Sequence, residues 1–206
     1  MRRMPYEIVT YPASVLSRPA RRIERKDGLD LPEIAAQMIE TMELNHGVGL
    51  AAPQVGLGIR LLIAHSLETK ETRPFVNPQI LSSSRELEIR SEGCLSFPEL
   101  YGDVERAKSI VLRYQDLELK QHEETLNGHF ARVLQHEIDH LNGVLIVDRA
   151  IDGLYRYEEE EEQPAEAEGE EGEAGEVPPD DGELDPGIEL DTLESQPVGR
   201  PRPERW

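Results

Sequence analysis

The chain has 206 residues, with 42 Asp and Glu against 22 Lys and Arg, and a net charge of −20. The acidity is unevenly placed: residues 1–157 sum to −4 and residues 158–206 to −16. A near-neutral body with no basic stripe argues against nucleic-acid binding, and no apolar run is long enough to span a membrane or form a signal peptide. Cys94 is the only cysteine, which excludes an intrachain disulfide and fits a reducing compartment, the cytoplasm by default.

Tyr11-Pro12 breaks any early helix, and Val15, Leu16 and Ile23 read as core contacts of an N-terminal arm. Asp30-Leu31-Pro32-Glu33 predicts a helix start, with Asp30 as cap and Pro32 in the first turn. Leu31, Ile34, Ala35, Met38 and Met42 mark its apolar face, and Gly47 is the expected left-handed residue after its end. Gly47-Val48-Gly49-Leu50-Ala51-Ala52-Pro53-Gln54 is rich in small residues, so backbone can approach backbone or a ligand; alone, the run reads equally as a tight packed turn.

Residues 59–65 predict a buried strand, 75–81 a second with Pro78 at an edge or bulge, and Leu87 with Ile89 a half-exposed third. Ser91-Glu92-Gly93-Cys94-Leu95-Ser96 follows at a strand end. Ile110, Leu112 and Tyr114 alternate, as do Leu117 and Leu119, and Gln115-Asp116 between them predicts a hairpin. Asn127-Gly128 signals a turn.

Phe130, Val133, Leu134, Ile138 and Leu141 then repeat with helical period, closed by Asn142-Gly143. Inside this helix stands His136-Glu137-Ile138-Asp139-His140. Residues four apart share one helix face, so two imidazoles can bind one metal ion, and Glu137 can reach a bound water without being a ligand. A helix with two incidental histidines is the bland alternative. On residue type alone, a lone cysteine such as Cys94 reads better as a small buried hydrophobe than as a ligand. The body is thus α+β: several short, largely antiparallel strands with two substantial helices. Residues 158–206 have few apolar groups and high charge, and are expected to be a disordered acidic tail appended to a catalytic domain of residues 1–157.

Gly47 to Gln54, Glu92-Gly93-Cys94-Leu95-Ser96 and Gln135 to His140 resemble, in order, the three signature motifs of the peptide deformylase family. Tyr11-Pro12, Val76-Asn77-Pro78 and Leu141-Asn142-Gly143 look like further family positions. The resemblance implies an α+β fold of small, mostly antiparallel sheets packed around the central metal-binding helix, and hydrolytic removal of the N-formyl group from the first methionine of new polypeptides during translation, releasing formate. It implies Cys94, His136 and His140 as ligands of one divalent metal ion, with water in the fourth position. Fe(II) is the metal expected in cells, and Zn, Ni or Co can also occupy such a site.

Glu137 is then expected to take the water proton and deliver it to the leaving amine. The Gln54 side-chain amide and the Leu95 backbone N–H are expected to donate to the oxyanion. Gly49 is expected to offer backbone contacts to an extended substrate, Val48 and Val133 to line the methionine pocket, and Glu92 with Arg106 to support the site. Gln135 and Asp139 read as helix anchors; His46, His65, His122 and His129 read as ordinary polar residues. The implied partners are N-formylmethionyl nascent peptides, met in transient proximity to the ribosome by a monomer.

Two positions depart from the family pattern. The acidic run begins where many members continue into a C-terminal helix, and a tail of −16 should be repelled by ribosomal RNA. Tyr101 stands where some members carry a basic residue that contacts substrate. A metallopeptidase of the His-Glu-x-x-His type is the first rival, but Ile146 occupies the place of its third histidine. The second rival is a structural metal with the acidic tail recruiting a basic partner; three nameable protein ligands favour an open, catalytic site instead.

Overall fold

Leu61 and Ile63 pack to one side of their strand, Leu62 and Ala64 to the other, and all four are fully buried. That arrangement organises the chain, described in a computed structural model for residues 4–157. The expected acidic tail lies outside the described residues.

The first helix, α1, spans Leu31–Leu44, and Asp30 caps it by accepting from the Glu33 N–H at 3.2 Å. Seven strands follow: β1 (Gly49–Ala51), β2 (Leu61–His65), β3 (Thr72–Ser83), β4 (Leu87–Cys94), β5 (Phe97–Ala107), β6 (Ser109–Gln115) and β7 (Gln121–Asn127). Helix α2 (Gly128–Leu141) and the short α3 (Ile146–Arg149) complete the described elements.

Every strand pairing is antiparallel, in a five-stranded sheet of order β1-β2-β3-β6-β7 and a two-stranded sheet of β4 and β5. One face of the larger sheet, with Leu62, Phe75 and Leu112, packs on Phe130, Leu134, Ile138 and Leu141 of α2. Its other face, with Leu61, Ile63 and Val76, packs on Leu31, Met38 and Met42 of α1. Because β2 is covered on both faces, its sequence is a continuous apolar run with no alternation. The predicted α+β class and the placement of sheets around the histidine-bearing helix hold.

Pro78 lies at a bulge, one of its two expected places, in a central strand: the pairing of β3 with β6 slips between Val76 and Gln79, and Asn77 has φ 50°. Other expectations shift in detail. Leu117 and Leu119 sit in the turn between β6 and β7, where the Asp116 carboxylate accepts from the backbone N–H groups of Glu118 and Lys120. The partner strand is β7, whose only large aliphatic residue is Leu126. The left-handed position after α1 is His46, at φ 55°, not Gly47. A Cβ on Gly47 would lie 3.0 Å from Leu95 Cδ1, the tip of a side chain that can give by a few tenths of an ångström.

The C-terminal end of α2 is closely fitted. Arg60 donates to the Leu141 carbonyl at 3.1 Å and to Asn142 Oδ1 at 2.9 Å, satisfying a carbonyl the helix leaves unpaired. Gly143 has φ 74°, and a Cβ there would meet the Ser17 backbone at 2.9 Å. Backbone cannot swing aside as a side-chain tip can. Gly143→Ala is therefore expected to destabilise the fold by about 1–3 kcal/mol, read as a lower urea midpoint at unchanged slope.

Candidate active site

β4 ends at Cys94 and α2 carries His136 and His140, and the packing of α2 between the two sheets brings all three together. Cys94 Sγ lies 3.2 Å from His140 Nε2, and one donor atom from each residue lies within 4.8 Å of the others. The two imidazole rings are 5.1 Å apart at their centroids, the one-turn spacing expected along the helix. Two neutral imidazoles and a thiolate are a borderline-to-soft donor set, suited to Zn or Fe(II) more than to Mg or Ca. Beside the triad, buried Glu137 Oε2 has no hydrogen-bond partner among the described residues. Such an orphaned acceptor fits a site that takes a metal ion and its water.

Cys94, His136 and Glu137 face a cavity of about 460 Å³, also lined by Val48, Gly49, Gln54, Leu95 and Val133. Every residue the sequence singled out for substrate or oxyanion contact thus borders one space, and His140 lies fully buried at its base. Burial pushes the Glu137 carboxyl up to about 7, close to the range where a group both accepts and returns a proton readily. Gln54 is also held from behind: its Oε1 accepts from the Ala51 N–H at 2.8 Å. Its Nε2 therefore points toward Cys94 Sγ at 3.6 Å and Ser96 Oγ at 3.4 Å. Leu95 occupies the turn after Cys94, where the β4–β5 register slips between Gly93 and Cys94.

A buried ionic network lies behind His136. The Glu92 carboxylate accepts from Arg106 Nε at 3.1 Å and Nη2 at 3.0 Å, and from Arg132 Nη1 at 2.7 Å. Its Oε2 also pairs with His136 Nδ1 at 2.9 Å, which turns the other ring nitrogen toward the cavity. Burial alone would raise the Glu92 carboxyl, yet His136 and Arg106 hold it well below the usual carboxylate range.

Arg106 reaches on to Asp139 through Nη1, and Asp139 is gripped on its other side by Arg149. Gln135 anchors the helix as expected, exchanging two hydrogen bonds with the Ala107 backbone. Sequence reasoning missed Arg132 and Arg149. Arg132 was detectable as a cation one turn before His136, between Phe130, Val133 and Leu134 in an apolar pattern. Ile146, the place of the rival metallopeptidase's third histidine, is buried at the start of α3.

A cysteine and two helix-borne histidines converging beside a buried glutamate, in an α+β fold, define a metallohydrolase class. Residues 5–154 match the family model for polypeptide deformylase. The chain is 45% identical over 146 residues to a peptide deformylase of Afipia carboxidovorans, covering 69% of this chain and 84% of that protein. It also resembles the crystal structure of peptide deformylase from Thermotoga maritima, with a TM-score of 0.68, 42% identity, and coverage of 72% of this chain and 99% of that one. A deformylase from Synechococcus elongatus, solved with actinonin, matches with a TM-score of 0.67 at 38% identity, over 73% of this chain and 81% of that one. The chain belongs to the peptide deformylase family, whose members are metallohydrolases that remove the formyl group from nascent peptides. No helix among the described residues is long and apolar enough to cross a membrane.

Gly49 leaves room for Glu137. A Cβ at residue 49 would lie 2.3 Å from Glu137 Oε1 and 2.9 Å from Cδ. Gly49→Ala is expected to fold but to displace the carboxylate, lowering kcat by roughly a hundredfold, since a misplacement of about 1 Å has effects of that order. Steady-state kinetics beside a thermal melt would check it.

Proposed function

We propose that Cys94, His136 and His140 ligate one divalent ion and that Glu137, Gln54 and Leu95 carry out deformylation of N-formylmethionyl nascent peptides. Fe(II) is the proposed cellular metal, with Zn, Ni or Co as workable substitutes. A metal ion bound there lowers the pKa of a water toward neutrality and polarises the formyl carbonyl.

The remaining work falls to the chain itself. Val48 and Val133 hold the methionine side chain against apolar surface, and Gly49 aligns the peptide backbone. Glu137 accepts a proton from the attacking water as the new C–O bond forms at the formyl carbon. The carbonyl oxygen gains charge, and Gln54 Nε2 and the Leu95 N–H donate to it. Glu137 then passes its proton to the amide nitrogen as the C–N bond breaks, giving formate and a free amino terminus. Glu92 and Arg106 keep His136 in register.

The observation that carries this reading is the convergence of Cys94 Sγ and two imidazoles within 4.8 Å, beside a buried glutamate with an unpaired oxygen. Localisation in the cytoplasm near the ribosome, as a monomer, is part of the same proposal. The described part of the chain is read as the catalytic domain and residues 158–206 as an acidic appendage to it.

Formate release from a formyl-Met peptide tests the assignment, using Fe(II)-loaded protein handled without oxygen. Cys94→Ala and Glu137→Ala are expected to remove nearly all turnover. Gln54→Ala is expected to lose about 3–4 kcal/mol of transition-state stabilisation with little change in KM. Full activity in Glu137→Ala would overturn the proton-transfer role.

A further inference from the structure

We propose that Arg149 is a positioning residue for the metal-binding triad, acting through Asp139, Arg106 and Glu92 on the ring of His136; this rests on the ligand set argued above. Arg149 closes α3 and does not line the cavity. Its guanidinium grips Asp139 side-on through one edge, Nη2 to Oδ1 at 2.7 Å and Nε to Oδ2 at 3.0 Å. The same Oδ2 accepts from Arg106 Nη1. Arg106 turns its other two nitrogens, Nε and Nη2, on the two oxygens of Glu92. Glu92 Oε2 in turn receives His136 Nδ1 at 2.9 Å.

Arg149–Asp139, Asp139–Arg106 and Arg106–Glu92 are ion pairs, Glu92 ends the chain on the neutral His136 ring, and Glu92, Arg106 and Asp139 are buried. The links between Asp139, Arg106 and Glu92 are buried and have little slack. Without Arg149, Asp139 keeps a single cation. Arg106 is then drawn toward Asp139 and its two-point grip on Glu92 loosens. Glu92 is then fixed chiefly by Arg132 on Oε1, and its Oε2, which sets the angle of the His136 ring, is held less firmly.

A second set of contacts grips the same strand. The hydroxyls of Tyr155 and Tyr157 donate to Ser91 Oγ at 2.8 and 3.1 Å, one residue before Glu92. Tyr155 also pairs with Tyr101 through two backbone hydrogen bonds of 2.9 and 2.8 Å. The segment from Ile146 to Tyr157 therefore straps β4 and β5 from behind and touches the histidine's support at two points. Carboxylates hydrogen-bonded to ligating histidines influence metal affinity by about ten- to a hundredfold when disturbed, and Arg149 holds such a carboxylate at one remove.

The test is retention of cobalt by the full chain. Protein loaded with one Co(II) is challenged with EDTA, and loss of its visible ligand-field bands is followed over time. Arg149→Met is expected to speed release by about tenfold and to alter the bands, while the thermal midpoint of the metal-free protein changes little. The Arg149 side chain is 48% exposed, so this variant is expected to fold.

Arg149→Lys keeps the charge but not the two-point grip, and is expected to recover only part of the retention. Arg149→Met placed in an Asp139→Asn background is expected to add nothing further. Parent-like retention and bands in Arg149→Met would overturn the proposal, as would full additivity with Asp139→Asn. If the parent itself fails to hold one Co(II), or Cys94→Ala holds it equally well, the ligand set fails and the proposal with it.

Discussion

The site depends on one carboxylate placed where a charge is expensive. Glu92 is buried among Arg106, Arg132 and His136, and moving each charge out of water costs several kcal/mol. Apolar side chains would fill the same volume at lower cost. They could not orient an imidazole, because dispersion contacts have no preferred direction, whereas a carboxylate accepting from Nδ1 fixes both the tautomer and the ring plane. The ions therefore serve geometry more than stability. The large apolar clusters on either face of the five-stranded sheet supply the stability.

Much of this was legible in the sequence, for physical reasons that differ from residue to residue. The face shared by His136 and His140 follows from helical periodicity, and the start of α1 follows from Asp30 and Pro32. Both are local matters. Cys94 was not assignable by local reasoning, since nothing near residue 94 shows that it meets a helix some forty residues later; its resemblance to a family motif supplied that. The run from Gly47 to Gln54, which holds strand β1, likewise reads as a mere turn in sequence until Glu137 is seen against Gly49.

The features that escaped are those in which tertiary context overrides local pattern. Strand β7 is largely polar and is held by its ladder with β6, so no apolar alternation announced it. Leu117 and Leu119 had that alternation yet lie in the turn, where Asp116 captures the backbone N–H groups. His46 adopts the left-handed conformation that Gly47 was expected to take. Arg132 and Arg149 carry charges at positions an apolar or surface reading passes over, and only the fold shows that both end on buried carboxylates.

The β4–β5 hairpin and the five-stranded sheet are separate hydrogen-bonded units. With the ligand set proposed above, Cys94 belongs to the hairpin, while His136 and His140 ride on a helix packed against the larger sheet. An ion held by all three is then a cross-link between two halves of the protein that share no strand ladder. Coordination energy becomes cohesion energy, and ligands far apart along the unfolded chain can gather only after both halves have assembled. Metal supply would in this way govern how long each molecule survives in its native form, as well as how fast it turns over.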